Sequence, residues 1–155
     1  MAREPDIDTI VIASAWNRYD VFDGDTAERA FQDLTTTIRK YRAMGKGVYL
    51  VLPIPRGEMF DPSRLVIRSV WDFGPNIVQR INRAQIDCTV KRIAARLTNI
   101  AATTGAIAIN PVNYLCPDGD CPTLSEDGVP IYGDESHLRP DYVREHVTFL
   151  DSIVR

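Results

Sequence analysis

The sequence predicts a three-layer α/β domain built on a small parallel sheet, and three patterns carry that prediction. Strand-like and helix-like stretches alternate along the chain, the strand-like ones are apolar throughout, and the stretches between them have helical periodicity. Strands buried on both faces read as continuous apolar runs, and parallel strands need crossover connections, so a sheet with helices on both faces follows. Consecutive right-handed crossovers would join the strands.

The first strand falls within Asp8 to Ala15, around Thr9-Ile10-Val11-Ile12-Ala13. A helix is expected from Thr26 to Ala43. It opens on Asp25 and Glu28 and closes on Arg39, Lys40 and Arg42, a charge order that complements the helix dipole, with Gly45 and Gly47 ending it. The second strand is Val48 to Leu52, stopped by Pro53. Pro55, Gly57, Pro62, Gly74 and Pro75 mark a long irregular connection, with Phe60 and Trp71 available to cover the core. Ile86, Val90, Ile93, Leu97 and Ile100 recur at three- and four-residue steps, which predicts a long helix from Ile77 to Thr103, closed by Gly105. The third strand is Ala106 to Ile109. A short extended stretch from Val129 to Tyr132 then leads to a last helix from Pro140 to Val154.

A chain of 155 residues accommodates one domain with one core. Three strands make a small sheet, and the first is as apolar as an interior strand. An edge of that kind invites pairing, either with missing N-terminal strands or with a second copy through the first-strand edge. Apolar residues at 45% and charged residues at 25% are ordinary globular values. A net charge of −3 and a pI near 5.3 leave no basic stripe for nucleic acid. No apolar run reaches the roughly 18 to 20 residues that cross a bilayer, and Met1 to Asp8 is too polar for a signal peptide. Taken alone, such a chain would be expected in the cytoplasm.

Cys88 falls within a helical pattern and reads as a small core residue. Cys116 and Cys121 flank the turn-rich Pro117-Asp118-Gly119-Asp120. That arrangement closes a short loop and suits a disulfide, with two unpaired thiols or half of a zinc site as the alternatives. Zinc would need two further ligands, and the chain has no second cysteine pair. No metal or cofactor is expected.

Sites in open parallel sheets gather beyond the carboxyl ends of the strands. The segments expected there are Ser14-Ala15-Trp16-Asn17, Pro53-Ile54-Pro55-Arg56, and Asn110 to Asn113, with Gly133 to His137 passing near the same rim. Asp134 and His137 form the sharpest pair. Three residues apart across a turn, the carboxylate can hold one imidazole nitrogen while the other takes a proton from a hydroxyl. By spacing alone, the pair also fits a turn-capping aspartate beside a packing histidine.

The surrounding residues add to this. Leu115-Cys116, four residues and Cys121, followed by Gly128-Val129-Pro130-Ile131-Tyr132-Gly133-Asp134-Glu135-Ser136-His137-Leu138, closely resemble the end of the SGNH hydrolase-type domains fused to membrane acyltransferase-3 proteins. Ile10 to Trp16 is similar to that family's "v-l-a-x-x-W" strand, and Leu52-Pro53-Ile54-Pro55 to its "hP-x-P". The resemblance covers nearly the whole chain. It implies a flavodoxin-like fold that moves acyl groups, commonly acetyl, onto or off cell-envelope carbohydrate. The implied partners are an acyl donor, a carbohydrate acceptor and a membrane acyltransferase-3 domain, which would put the chain outside the cytoplasm.

In that family a serine of a Gly-Asp-Ser block attacks the acyl carbon, and the residues matching Asp134 and His137 orient and activate it. This chain has no such block. Gly24-Asp25 is followed by Thr26 and reads better as a helix start. Trp16 stands where broader SGNH hydrolases place an oxyanion-binding Asn, and with one N–H donor it suits packing or substrate contact. Ser14 lies at a suitable strand end but lacks the glycine-flanked turn of a nucleophile, and Ser136 adjoins His137. The expected reading is therefore the distal part of an acyltransferase or esterase domain. The alternatives are a degenerate binding module and a hydrolase using Ser14.

Overall fold

A computed structural model of the chain describes residues 7–16, 24–67, 76–77 and 80–153. The elements run β1 (Thr9–Ile12), α1 (Asp25–Ala43), β2 (Gly47–Val51), α2 (Pro62–Leu65), β3 (Val66–Ile67), β4 (Asn76–Ile77) and β5 (Arg80–Asn82). They continue with α3 (Cys88–Thr104), β6 (Ile107–Ile109), α4 (Pro111–Leu115), β7 (Asp120–Pro122) and α5 (Pro140–His146). Asn17, Trp71, Gly74 and Pro75 lie outside the described residues. The chain divides into two compact units, one of Met1–Pro53, Lys91–Asn110 and Leu150–Arg155, the other of Ile54–Val90 and Pro111–Phe149.

The first unit holds the expected α/β core. Its three strands pair in parallel in the order β1-β2-β6, with Ile10 opposite Val48 and Leu50 opposite Ala108. The start of α1 follows Gly24, and Asp25 and Glu28 in its first turn oppose Lys40 and Arg42 in its last. Gly45, at φ 79°, takes the left-handed conformation that reverses the chain, and its N–H donates to Arg42 O at 3.0 Å. Phe31, Leu34, Ile38 and Tyr41 of α1 then form one stripe at three- and four-residue steps. That stripe packs with Ile93, Leu97, Ile100 and Ala101 of α3 over Val48 and Leu50 of β2. Burying each such side chain contributes about 1.5–3 kcal/mol.

Both helices share one cluster because both crossovers step in the same direction across the sheet. Crossovers of one hand then place their helices on one face. Residues of the opposite face are less covered, with Val11 46% and Ile107 53% exposed.

The second unit is organised differently. Phe60, Ile81, Ile86, Val90, Val112, Leu115, Ile131 and Tyr132 form its core together with Cys116 and Cys121. The two cysteines are joined in a disulfide. Two short antiparallel pairs accompany this core, β3 with β4 and β5 with β7, the latter setting Ile81 opposite Cys121.

Three expectations are corrected. The long helix begins at Cys88 rather than Ile77. Upstream of it, β5 pairs with β7, and Asn82 caps a 3-10 turn by accepting from Ala84 N at 2.8 Å while Gln85 accepts from Asn82 N. The side chain of Asp87 then accepts the Thr89 N–H at 2.7 Å, the bond of an N-cap that starts α3. Ile86 is buried as its periodicity predicted, though outside the helix. Cys88, expected in the core, is exposed at the first position of α3. The last helix stops at His146, because Val147 turns to an extended conformation. There Thr148 donates to the Tyr114 hydroxyl at 3.2 Å and Phe149 packs edge-on against the Tyr114 ring, drawing these residues out of helical geometry.

Candidate active site

The pair that the sequence singled out lies on a closed loop of the second unit. Tyr132 and Leu138 form an antiparallel bridge at its base, and the Gly133 N–H donates to His137 O at 2.9 Å. Inside the loop, Asp134 Oδ1 accepts the backbone N–H groups of Ser136 at 2.7 Å and His137 at 2.8 Å, and the Ser136 hydroxyl at 3.1 Å. This is the turn chemistry typical of an aspartate bonding to backbone two and three residues on.

Asp134 Oδ2 lies 2.8 Å from His137 Nδ1, and Oδ1 lies 3.0 Å from it. One carboxylate thus shapes the turn and holds the ring. Nδ1 is engaged by Asp134, and Nε2 has no hydrogen-bond partner among the described residues. The imidazole side chain is 77% exposed and that of Asp134 52%. The Ser136 hydroxyl sits 3.2 Å from Nδ1, on the nitrogen that Asp134 already holds. Ser136 therefore supports the carboxylate and is badly placed for activation through Nε2.

Bonds to Asp134 set its charge. The Ser136 backbone N–H first, then the His137 side chain, favour the ionised form and lower its pKa from 3.8 to about 2. Because the folded value is depressed, any stability that this linkage supplies is present above the unfolded value near 3.8. It is lost as pH falls through about 2. A carboxylate-detected NMR titration should show the Asp134 midpoint well below that of a free aspartate; a midpoint near 4 would show that the turn does not hold the charged form.

Two bonds fasten this loop to the segment after β2. The buried Tyr132 hydroxyl donates to Pro55 O at 3.0 Å, and the Gly57 N–H donates to Glu135 O at 2.8 Å. The Phe60 ring lies 4.8 Å from that of Tyr132. Arg56 sits between the two anchored residues and belongs to the same unit as the Asp134–His137 loop. Tyr132→Phe leaves Pro55 O buried without its donor and is expected to cost about 1–3 kcal/mol in chemical unfolding. An unchanged unfolding midpoint would show that the bond contributes nothing. Sequence reasoning did not find this anchor, because nothing in the chain links positions 77 residues apart.

The other expected site residues belong to the first unit or lie outside the described residues. Trp16 is 4% exposed, and its Nε1–H donates to Val51 O at 2.8 Å, a packing role at the end of β2. Ser14 is exposed and lines a small cavity of about 120 Å³ with Ile12, Trp16, Ala30, Phe31 and Leu34. Asn17 is among the residues not described. No cluster of three or more metal-ligating side chains occurs among the described residues.

A parallel sheet with crossover helices places the first unit in the α/β class, and the second unit carries an aspartate-held histidine on the loop before α5. Comparison with known families agrees: the family described as "SGNH domain (fused to AT3 domains)" matches residues 1–147. The chain belongs to this SGNH family, whose fold is of the esterase and acyltransferase type. No curated protein and no solved structure matches the chain.

Proposed function

We propose that the chain is the distal part of an SGNH acyltransferase or esterase domain acting on O-acyl groups, commonly acetyl, of cell-envelope carbohydrate. The observation that carries this reading is the Asp134–His137 contact at 2.8 Å, with Nε2 unpartnered among the described residues. His137 takes the proton of a serine hydroxyl through Nε2, Asp134 stabilises the imidazolium that forms, and His137 returns the proton to the leaving oxygen. The serine comes from a Gly-Asp-Ser segment, which these 155 residues do not contain. It attacks the acyl carbon, giving an acyl-enzyme that a sugar hydroxyl or water then opens.

The family's fusion to AT3 domains supports a membrane acyltransferase as partner and a location outside the cytoplasm. No helix among the described residues is long and apolar enough to cross a membrane. The test is to join the chain to a Gly-Asp-Ser segment and treat it with a fluorophosphonate. Labelling of that serine is expected. Labelling that persists without the segment and disappears with Ser14→Ala would instead make Ser14 the nucleophile.

One observation favours a second reading, a non-catalytic binding module. Val11 and Ile107 leave apolar surface on the sheet. That reading requires self-association or a bound partner at β1, measurable by sedimentation, and an unlabelled serine in the joined protein.

A further inference from the structure

A second concave site lies in the same unit. Arg80, Tyr114, Glu126, Ile131, Tyr142 and His146 line an open groove of about 630 Å³. That volume falls within the range of small-molecule sites. Its tyrosine rings are fixed rather than loose. The Tyr114 hydroxyl donates to His146 O and accepts from Thr148, and its ring stacks edge-on against Phe149 at 5.4 Å. Tyr142 lies tilted on the His146 ring at 4.9 Å and packs against the unit's core.

The charged groups are also placed by structure. Arg80 projects from β5, which is paired to β7. Glu126 sits on a tight turn closed by Ser125 N to Val129 O at 2.8 Å and Gly128 N to Ser125 O at 3.0 Å. Neither charge is in an ion pair among the described residues.

We propose that this groove binds a carbohydrate chain, with pyranose rings against Tyr114 and Tyr142 and ring hydroxyls bonded to Arg80 and Glu126. The apolar face of a sugar presents C–H groups to an aromatic ring, and its vicinal hydroxyls match the planar forks of guanidinium and carboxylate. Rival ligands fit less well. An anion would meet Glu126 as well as Arg80, and a lipid chain would bury both charges at a cost of several kcal/mol. Identifying the bound sugar as the acyl acceptor rests on the acyl-transfer reading above, whereas binding itself needs no chemistry. The wall residue Ile131 is three residues from Asp134, so the two sites are at most about 11 Å apart along the backbone.

Heteronuclear NMR titration of the chain with triacetylchitotriose and with maltotriose tests the proposal. At least one sugar should shift resonances of Tyr114, Tyr142 and the Ser125–Val129 turn. Arg80→Ala and Glu126→Gln, both at exposed positions, should each weaken binding about tenfold while leaving the rest of the spectrum in place. His137→Ala should leave the affinity unchanged. Absence of binding by both sugars, shifts confined to other surfaces, or undiminished affinity in both groove variants would overturn it. Binding as expected beside an inactive joined protein would sink the acyl-transfer reading and leave the groove standing.

Discussion

In the chain joined to a Gly-Asp-Ser segment, His137→Ala is expected to lower turnover of 4-nitrophenyl acetate by about 10²- to 10⁴-fold, the contribution of a positioned general base. The loss should fall on kcat with little change in KM, because the imidazole acts on the reacting proton and not on the bound ester. Asp134→Asn should cost a comparable factor through a different route. The amide keeps the size of the carboxylate but loses its charge, so the ring is no longer held in one tautomer and the imidazolium is no longer stabilised. The same change weakens the turn, since Asp134 Oδ1 also accepts the N–H groups of Ser136 and His137. Turnover unaffected by His137→Ala would remove the role assigned to it.

Removing the Cys116–Cys121 disulfide should lower the unfolding free energy by about 2 kcal/mol through loop-closure entropy alone. The bridge spans a sequence separation of 5, so the closed loop is small and the entropic effect lies toward the modest end. Both sulfurs are also buried in the core that contains Tyr132 and Phe60. Cys116→Ser with Cys121→Ser therefore adds the cost of hydroxyls in that core, about 1–3 kcal/mol for each left without a partner. Hydrogen exchange should localise the loss to the second unit, with β5, β7 and the Tyr132–Leu138 loop losing protection first. An unfolding midpoint indifferent to a reducing agent would refute the assignment of the bridge as a stabilising element. Because the dyad's loop is anchored to this core through Tyr132, reduction should also depress turnover of the joined protein.

Much of the first unit was legible because its signals are local. The β1, β2 and β6 strands were readable as apolar runs, the latter two bounded by glycine and proline, and α1 by its ordered charges and the glycines that end it. The family resemblance rested on short contiguous runs, Ile10 to Trp16, Leu52 to Pro55 and Leu115 to Leu138, each readable without its tertiary neighbours. Reading failed where a distant partner decided the conformation. Ile86 fits a helical period and Ile81 falls within the helix expected from Ile77, yet Ile81 pairs across to Cys121, and the caps at Asn82 and Asp87 restart the chain before α3. Phe149 and Thr148 fit a helix extended from Pro140, yet both engage Tyr114. Cys88 looked like core from its period, but the helix that would have turned it inward begins at that residue.

Ordered apolar runs, turn residues and the family-like motif runs were enough, by themselves, to indicate the fold class and the family and to single out Asp134 and His137 as a candidate pair. These depend on residue type and short separation, which a linear chain displays directly. Tertiary structure alone decided that Asp134 holds Nδ1, that Tyr132 pins the loop to Pro55, and that Trp16 commits its N–H to Val51. It also decided that Tyr114, Tyr142, Arg80 and Glu126 line one groove. The groove and all of these bonds except that of Asp134 join distant parts of the chain. Hydrogen-bond partners are chosen by angle and distance after folding, and no local propensity encodes them.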